Sequence, residues 1–235
     1  MKLSNELVAS ITSITLLFLL LVFPVIVYFG FTKGYNNFIK LEVIGEADYS
    51  IDDFSFINQN NDIITKDSLK GSIYVANFFF TSCPSICPTM TRNMSYLQDK
   101  LSVYPNIRFI SHTVDPYNDT PEKLNSYVNS MQQKNISIDL SNWDFVTGDK
   151  DEIYEIAKSY LCSVLESDDE NTGGFIHSEY FVLIDKQGRI RSGIDKNGNV
   201  VGAYDGTSEV QMKDLISDIN VLMAEYKKPL KNDKD

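Results

Sequence analysis

Ile73-Tyr74-Val75-Ala76-Asn77-Phe78-Phe79-Phe80 runs into Thr81-Ser82-Cys83-Pro84-Ser85-Ile86-Cys87-Pro88-Thr89-Met90, and this stretch decides the fold. The first eight residues form a nearly continuous apolar run rich in β-formers. Such a run reads as a strand covered on both faces, as in a parallel sheet, because a half-exposed strand would alternate. A loop holding two cysteines and two prolines follows. Thr89 to Val103 then reads as a helix, with Cys83 expected just before the helix proper.

Outward from this unit, the strand and helix periods keep alternating. Upstream, Phe54 to Ile57 and Ile63-Ile64 flank the turn-rich Asn58-Gln59-Asn60-Asn61-Asp62, which reads as a hairpin. Downstream, Ile107 to Thr113 alternates as a strand. Thr120-Pro121-Glu122-Lys123 opens a helix to about Gln133, with a hydroxyl cap and proline at the first position. Trp143 to Val146 is a short strand. Asp149 caps a helix with Glu152 three residues on. Tyr180 to Asp185 and Arg189 to Ile194 form a hairpin around Lys186-Gln187-Gly188. A last helix runs from near Thr207 to near Tyr226. This order predicts an α/β domain with central parallel strands and an added β-hairpin. It fits a thioredoxin-like layout, and order alone leaves flavodoxin-like folds open.

Leu7 to Thr32 contains no charged residue, which exceeds the roughly 20 apolar residues a membrane-spanning helix needs. The run ends on the bulky Tyr28-Phe29-Gly30-Phe31 rather than a small-residue cleavage site, so it reads as an uncleaved anchor. Flanking lysines are nearly balanced and do not set its orientation. The expected organisation is a short tail at 1–6, a transmembrane anchor at 7–32, a tether at 33–45, a globular domain at 46–230 and a charged tail at 231–235.

The whole chain has 235 residues, of which 43% are hydrophobic and 23% charged, a globular composition. Its net charge of −11 argues against nucleic-acid binding, which needs a basic face. Three cysteines are too few for a disulfide scaffold, and two histidines rule out a His-rich metal site.

Chemistry therefore rests on few residues. Cys83 and Cys87 sit where a buried strand meets a helix, and helix N-terminal amides favour the thiolate that attacks disulfides and ligates metals. Their spacing is not the C-x-x-C of thioredoxin, and no second cysteine pair exists to build a zinc ribbon. His177, after the Gly173-Gly174 pair and before a strand, is read as a loop residue that completes a soft three-ligand site. Two thiolates and an imidazole favour copper(I), whereas structural zinc wants a fourth ligand, a role for which Asp115 is available. His112 lies within a strand pattern and reads as structural. Cys162 lies in a helical pattern with Ile153, Ile156, Tyr160 and Leu161, and also reads as structural. The acidic Glu166 to Asn171 reads as a solvated loop.

Cys83-x-x-x-Cys87-Pro88, then Val114-Asp115-Pro116-x-x-Asp119-Thr120-Pro121, then His177 before a strand, resembles the SCO/SenC family over about residues 48–225. The resemblance implies a thioredoxin-like fold and copper, as Cu(I) or Cu(II), held by Cys83, Cys87 and His177, with Asp115 near the site. It implies delivery of copper to the dinuclear copper centre of cytochrome c oxidase subunit II. The partner it implies is that subunit or another copper protein, and the alternative is a thiol–disulfide oxidoreductase in which Cys83 and Cys87 are the redox pair and reduce the cysteines of that or another extracytoplasmic target. It also implies a single-pass protein of the bacterial inner (cytoplasmic) membrane, held through residues 7–32 with its domain on the extracytoplasmic side. One departure is visible: the family usually carries Asp directly before the ligand histidine, and here the residue is Ile176.

Overall fold

The computed structural model describes residues 5–35, 40–46, 48–166, 175–195 and 197–227, with only the backbone at 5–9, 31–35 and 176. The apolar N-terminal helix belongs to one compact unit, and residues 41–222 form the other.

The N-terminal segment comprises α1 (Asn5–Leu17), a π-helical turn (Phe18–Val22) and α2 (Phe23–Tyr35). Pro24 explains the interruption. It has no N–H for the carbonyl of Leu20, so the ladder before it re-forms with a wider turn. Ser10–Gly30 is long and apolar enough to cross a membrane.

The globular unit is built on a sheet of order β1-β10-β9-β4-β5-β6-β2-β3, with β11 also paired to β9. Its strands are β1 (Glu42–Val43), β2 (Ser55–Asn58), β3 (Ile63–Thr65), β4 (Ile73–Phe79), β5 (Ile107–Thr113), β6 (Trp143–Thr147), β9 (Tyr180–Ile184), β10 (Ile190–Ser192) and β11 (Tyr204–Asp205). A separate hairpin joins β7 (Val164–Glu166) to β8 (Phe175–His177). The helices are α3 (Lys66–Leu69), α4 (Cys87–Lys100), α5 (Pro121–Gln133), α6 (Lys150–Ser159) and α7 (Glu209–Lys227).

Every residue of β4 is buried, as its unbroken apolar run requires. β4, β5 and β6 are parallel, while β9 flanks β4 and β2 flanks β6 in antiparallel fashion. Phe79 is opposite Thr113 in the β4–β5 register, so both strands end on the same edge of the sheet. Ligand sites of parallel sheets form at the carboxyl ends of strands, where the connecting loops converge. The cap of Thr120 on α5 and that of Asp149 on α6 form as the sequence predicts.

Three details differ from the sequence reading. Glu42–Val43, inside the stretch read as a tether, pair with Ser192 and Arg191. Arg191 secures them: its guanidinium donates to the carbonyls of Leu41 and Glu42 and pairs with buried Asp185. Cys162 lies beyond α6 rather than in it, because Leu161 adopts φ 58° and turns the chain out of the helix. Finally, α4 begins at Cys87, two residues before the predicted start, which leaves Cys83 in the loop.

Candidate metal centre

The site assembles from three places in the chain. β4 delivers Cys83 through Thr81 and Ser82, and α4 presents Cys87 in its first turn. β8 supplies His177. The Sγ atoms of the two cysteines and a ring nitrogen of His177 all lie within 4.8 Å of one another, and Cys87 Sγ is 3.3 Å from His177 Nε2. That span is of the order of two metal–ligand bonds, each roughly 2.0–2.3 Å.

Burial and electrostatics grade the two thiols. Cys87 is fully buried, whereas Cys83 is half-buried. The Cys87 thiol donates to the Cys83 sulfur and pulls the Cys83 pKa down to about 3, against the opposing effect of burial. The backbone N–H groups of Ser85 and Cys87 add to this stabilisation. The same hydrogen bond holds the proton on Cys87 and raises its pKa, and burial raises it further. Cys83 is therefore the thiolate and Cys87 its proton donor, an asymmetry that the sequence reading left open.

His177 is 7% exposed and ends a strand, whereas the sequence suggested a loop. Its Nδ1 lies 3.1 Å from the carbonyl oxygen of Ser178. That carbonyl can only accept, so it fixes the proton on Nδ1 and leaves Nε2 free to ligate. The imidazole and the ring of Phe80 meet at right angles with a centroid distance of 5.8 Å, and Phe80 packs on Phe175. These rings wall the site with apolar surface.

Asp115 does not join the three ligating atoms; among the described residues the cluster is Cys83, Cys87 and His177. Both oxygens of Asp115 accept from the Asn118 amide, and burial raises its pKa. His112 is fully buried among Phe54, Phe56, Phe78 and Tyr160, with neither ring nitrogen hydrogen-bonded. Burial lowers its pKa to about 3, so it sits there neutral. Cys162 is buried too, and burial pushes its pKa up to about 11 against the Ser178 hydroxyl. Of the acidic loop, only Glu166 lies within the described residues, paired with Lys150. The Gly173-Gly174 pair lies outside the described residues.

Sequence reasoning missed Asp119. It appeared only as a letter in the Asp115–Pro121 motif, yet its carboxylate accepts hydrogen bonds from Thr81 and Thr113. The one available signal was an acidic residue placed directly ahead of a capped helix.

The sequence profile of the SCO1/SenC family matches residues 44–210. The SCO1 protein homolog of Bacillus subtilis (strain 168) is 35% identical over 174 residues, which is 73% of this chain and 81% of that protein. The crystal structure of a SCO1/SenC family lipoprotein from Bacillus anthracis str. Ames superposes with a TM-score of 0.63 at 29% identity, covering 77% of this chain and 99% of that one. BsSco, described as a member of the Sco family of cytochrome c oxidase assembly proteins with a disulfide switch, superposes with a TM-score of 0.62 at 31% identity, covering 80% and 99%. The profile spans the cysteine-bearing loop and helix start after β4, the Asp115 loop and the histidine strand together. The chain is a member of the SCO1/SenC family.

Proposed function

We propose that this protein is a membrane-anchored copper carrier that binds copper through Cys83, Cys87 and His177 and delivers it to the dinuclear copper centre of cytochrome c oxidase subunit II. One observation carries the reading: two sulfurs and one imidazole nitrogen converge within 4.8 Å on a wall of aromatic rings. Soft thiolates select copper over hard cations, and three donors suit a metal that must later leave. Sco proteins of Arabidopsis thaliana and Bradyrhizobium japonicum have been solved with copper bound. Here copper is cargo. Cys83 meets it as a thiolate, Cys87 gives up its proton on binding, and the Nε2 lone pair of His177 completes the set. Thiolates of the receiving protein then replace these donors one at a time.

The polarised cysteine pair also supports a second reading, disulfide exchange. The Cys83 thiolate attacks one sulfur of a target disulfide and the other leaves as a thiolate. Cys87 then attacks Cys83, which frees the reduced target and leaves a Cys83–Cys87 disulfide. Both activities use the same sulfurs, so copper and disulfide exclude each other.

The apolar helix at 10–30 supports anchoring, and a lipoprotein relative supports an extracytoplasmic domain. In this reading the amino terminus lies inside and the domain outside. A C-terminal reporter that is active only in the cytoplasm would refute the topology. For delivery, the reduced, copper-loaded chain is mixed with the reduced copper-binding domain of subunit II. The expected result is copper on the subunit II domain, read by metal analysis after the two proteins are separated, with matching loss from this chain. Copper that stays bound, or a target that needs only its disulfide reduced, would overturn delivery.

A further inference from the structure

Asp119 is 1% exposed, and no Lys or Arg is paired with it among the ion pairs of the described residues. Three hydrogen bonds hold it instead. One oxygen accepts from the backbone N–H of Thr81 at 3.0 Å and from the Thr113 hydroxyl at 2.5 Å. The other accepts from the Thr81 hydroxyl at 2.5 Å. Thr81 stands two residues before Cys83, and Thr113 ends the neighbouring strand β5. The Thr113 hydroxyl in turn accepts from the backbone N–H of Asp115. One carboxylate therefore clasps the loop that leaves β4 to the loop that leaves β5. Burying a charge without a cation is unfavourable unless hydrogen bonds replace its water. Spending such a group on tying Thr81, which leads to Cys83, to the end of β5 goes beyond what the sheet requires, since Val114 N–H already bonds to the Phe79 carbonyl there.

We propose that Asp119 is a positioning residue: through Thr81 it holds Cys83 at the distance from Cys87 that both copper capture and disulfide closure need. The copper readout of this assignment rests on the function proposed above, and the dithiol readout does not. Groups that orient ligands from outside a metal site typically set its affinity by 10–100-fold when removed.

The test uses the full chain in detergent, with two constants measured at a temperature where circular dichroism shows each variant folded. The first is copper(I) affinity by competition with a chelator. The second is the equilibrium with glutathione, in which the Cys83–Cys87 dithiol and glutathione disulfide give the protein disulfide and two glutathione thiols. That second constant reports how closely the two sulfurs are held. Asp119→Ala is expected to lower both constants on the order of tenfold. Asp119→Asn keeps an oxygen for the Thr81 N–H and the Thr113 hydroxyl, and its amide can donate to the Thr81 hydroxyl. It is expected to restore both constants to near the native values. Thr81→Ala removes one contact, should lower both constants by less, and should add little to Asp119→Ala. If Asp119→Ala does not fold, Thr81→Ala and Asp119→Asn decide the matter.

A folded Asp119→Ala, or in its place Thr81→Ala, with both constants within twofold of native shows a purely structural residue and overturns the proposal. An Asn variant as weak as the Ala variant assigns the effect to charge and also overturns it. If the native chain takes up no copper, the copper reading falls while the glutathione equilibrium still judges Asp119.

Discussion

Replacing His112 with leucine should remove a pH dependence that this one side chain builds into the domain. His112 is fully buried, contacts four aromatic rings, and has no partner for either nitrogen. Its pKa falls from the ordinary 6.5 to about 3 because burial penalises the imidazolium. The folded pKa is depressed, so the unfolded chain binds the proton first. Stability is lost as pH drops below 6.5 and levels off only near 3. Within that window the slope is about 1.4 kcal/mol per pH unit, so between pH 7.5 and 4.5 the native protein should lose about 2–3 kcal/mol through this residue. Leucine has a similar volume and no polar atom to strand. At pH 7.5 it should remove up to about 1–3 kcal/mol of unsatisfied-group penalty, offset by about 0.5–1.5 kcal/mol of lost ring contact. The assay is urea unfolding of the reduced domain, residues 40–235, at several pH values. Acid-sensitive carboxylates are common to both proteins and cancel in the difference. A native-minus-variant difference that stays flat from pH 7.5 to 4.5 would refute the reasoning, because it would mean that His112 keeps a protonatable, solvated edge.

Leu161→Gly should stabilise the domain by about 0.5–1 kcal/mol, since Leu161 is exposed and holds φ 58°, a conformation glycine adopts without strain; a loss of stability in thermal unfolding would contradict this. Mild oxidation of the copper-free protein should yield a Cys83–Cys87 disulfide with Cys162 still a thiol, because Cys162 is buried with its pKa raised to about 11. Mass mapping that finds Cys162 in a bridge, or copper fully retained by the oxidised form, would count against the shared-sulfur scheme.

The elements that organise the site were legible because their signals are local. The unbroken run of β4 needs no partner to be read as a doubly covered strand. The caps at Thr120 and Asp149 are written within four residues. The two cysteines could be placed because the strand end and helix start around them were both visible. What escaped depends on contacts distant in sequence. β7 and β8 are three residues each, and β1 is two, too short to show a period before their partners are known. His177 therefore reads as a loop residue, whereas it ends a strand and is buried, which makes replacing it costly to packing. Cys162 was assigned to a helix because a leucine gives no warning of a left-handed helix end, a place usually marked by glycine. Asp119 matters only once β4 and β5 lie side by side.

The central claim is that Cys83, Cys87 and His177 act together as a copper site. The direct measurement is copper bound per chain, in both oxidation states, for the reduced native protein and for His177→Ala after circular dichroism confirms its fold. The account predicts about one copper per native chain. It predicts that the variant loses copper(II) binding on the order of tenfold or more but retains more of its copper(I), which two thiolates can hold alone. Native and variant chains binding both forms equally would remove His177 from the site and leave the cysteine pair as a redox couple.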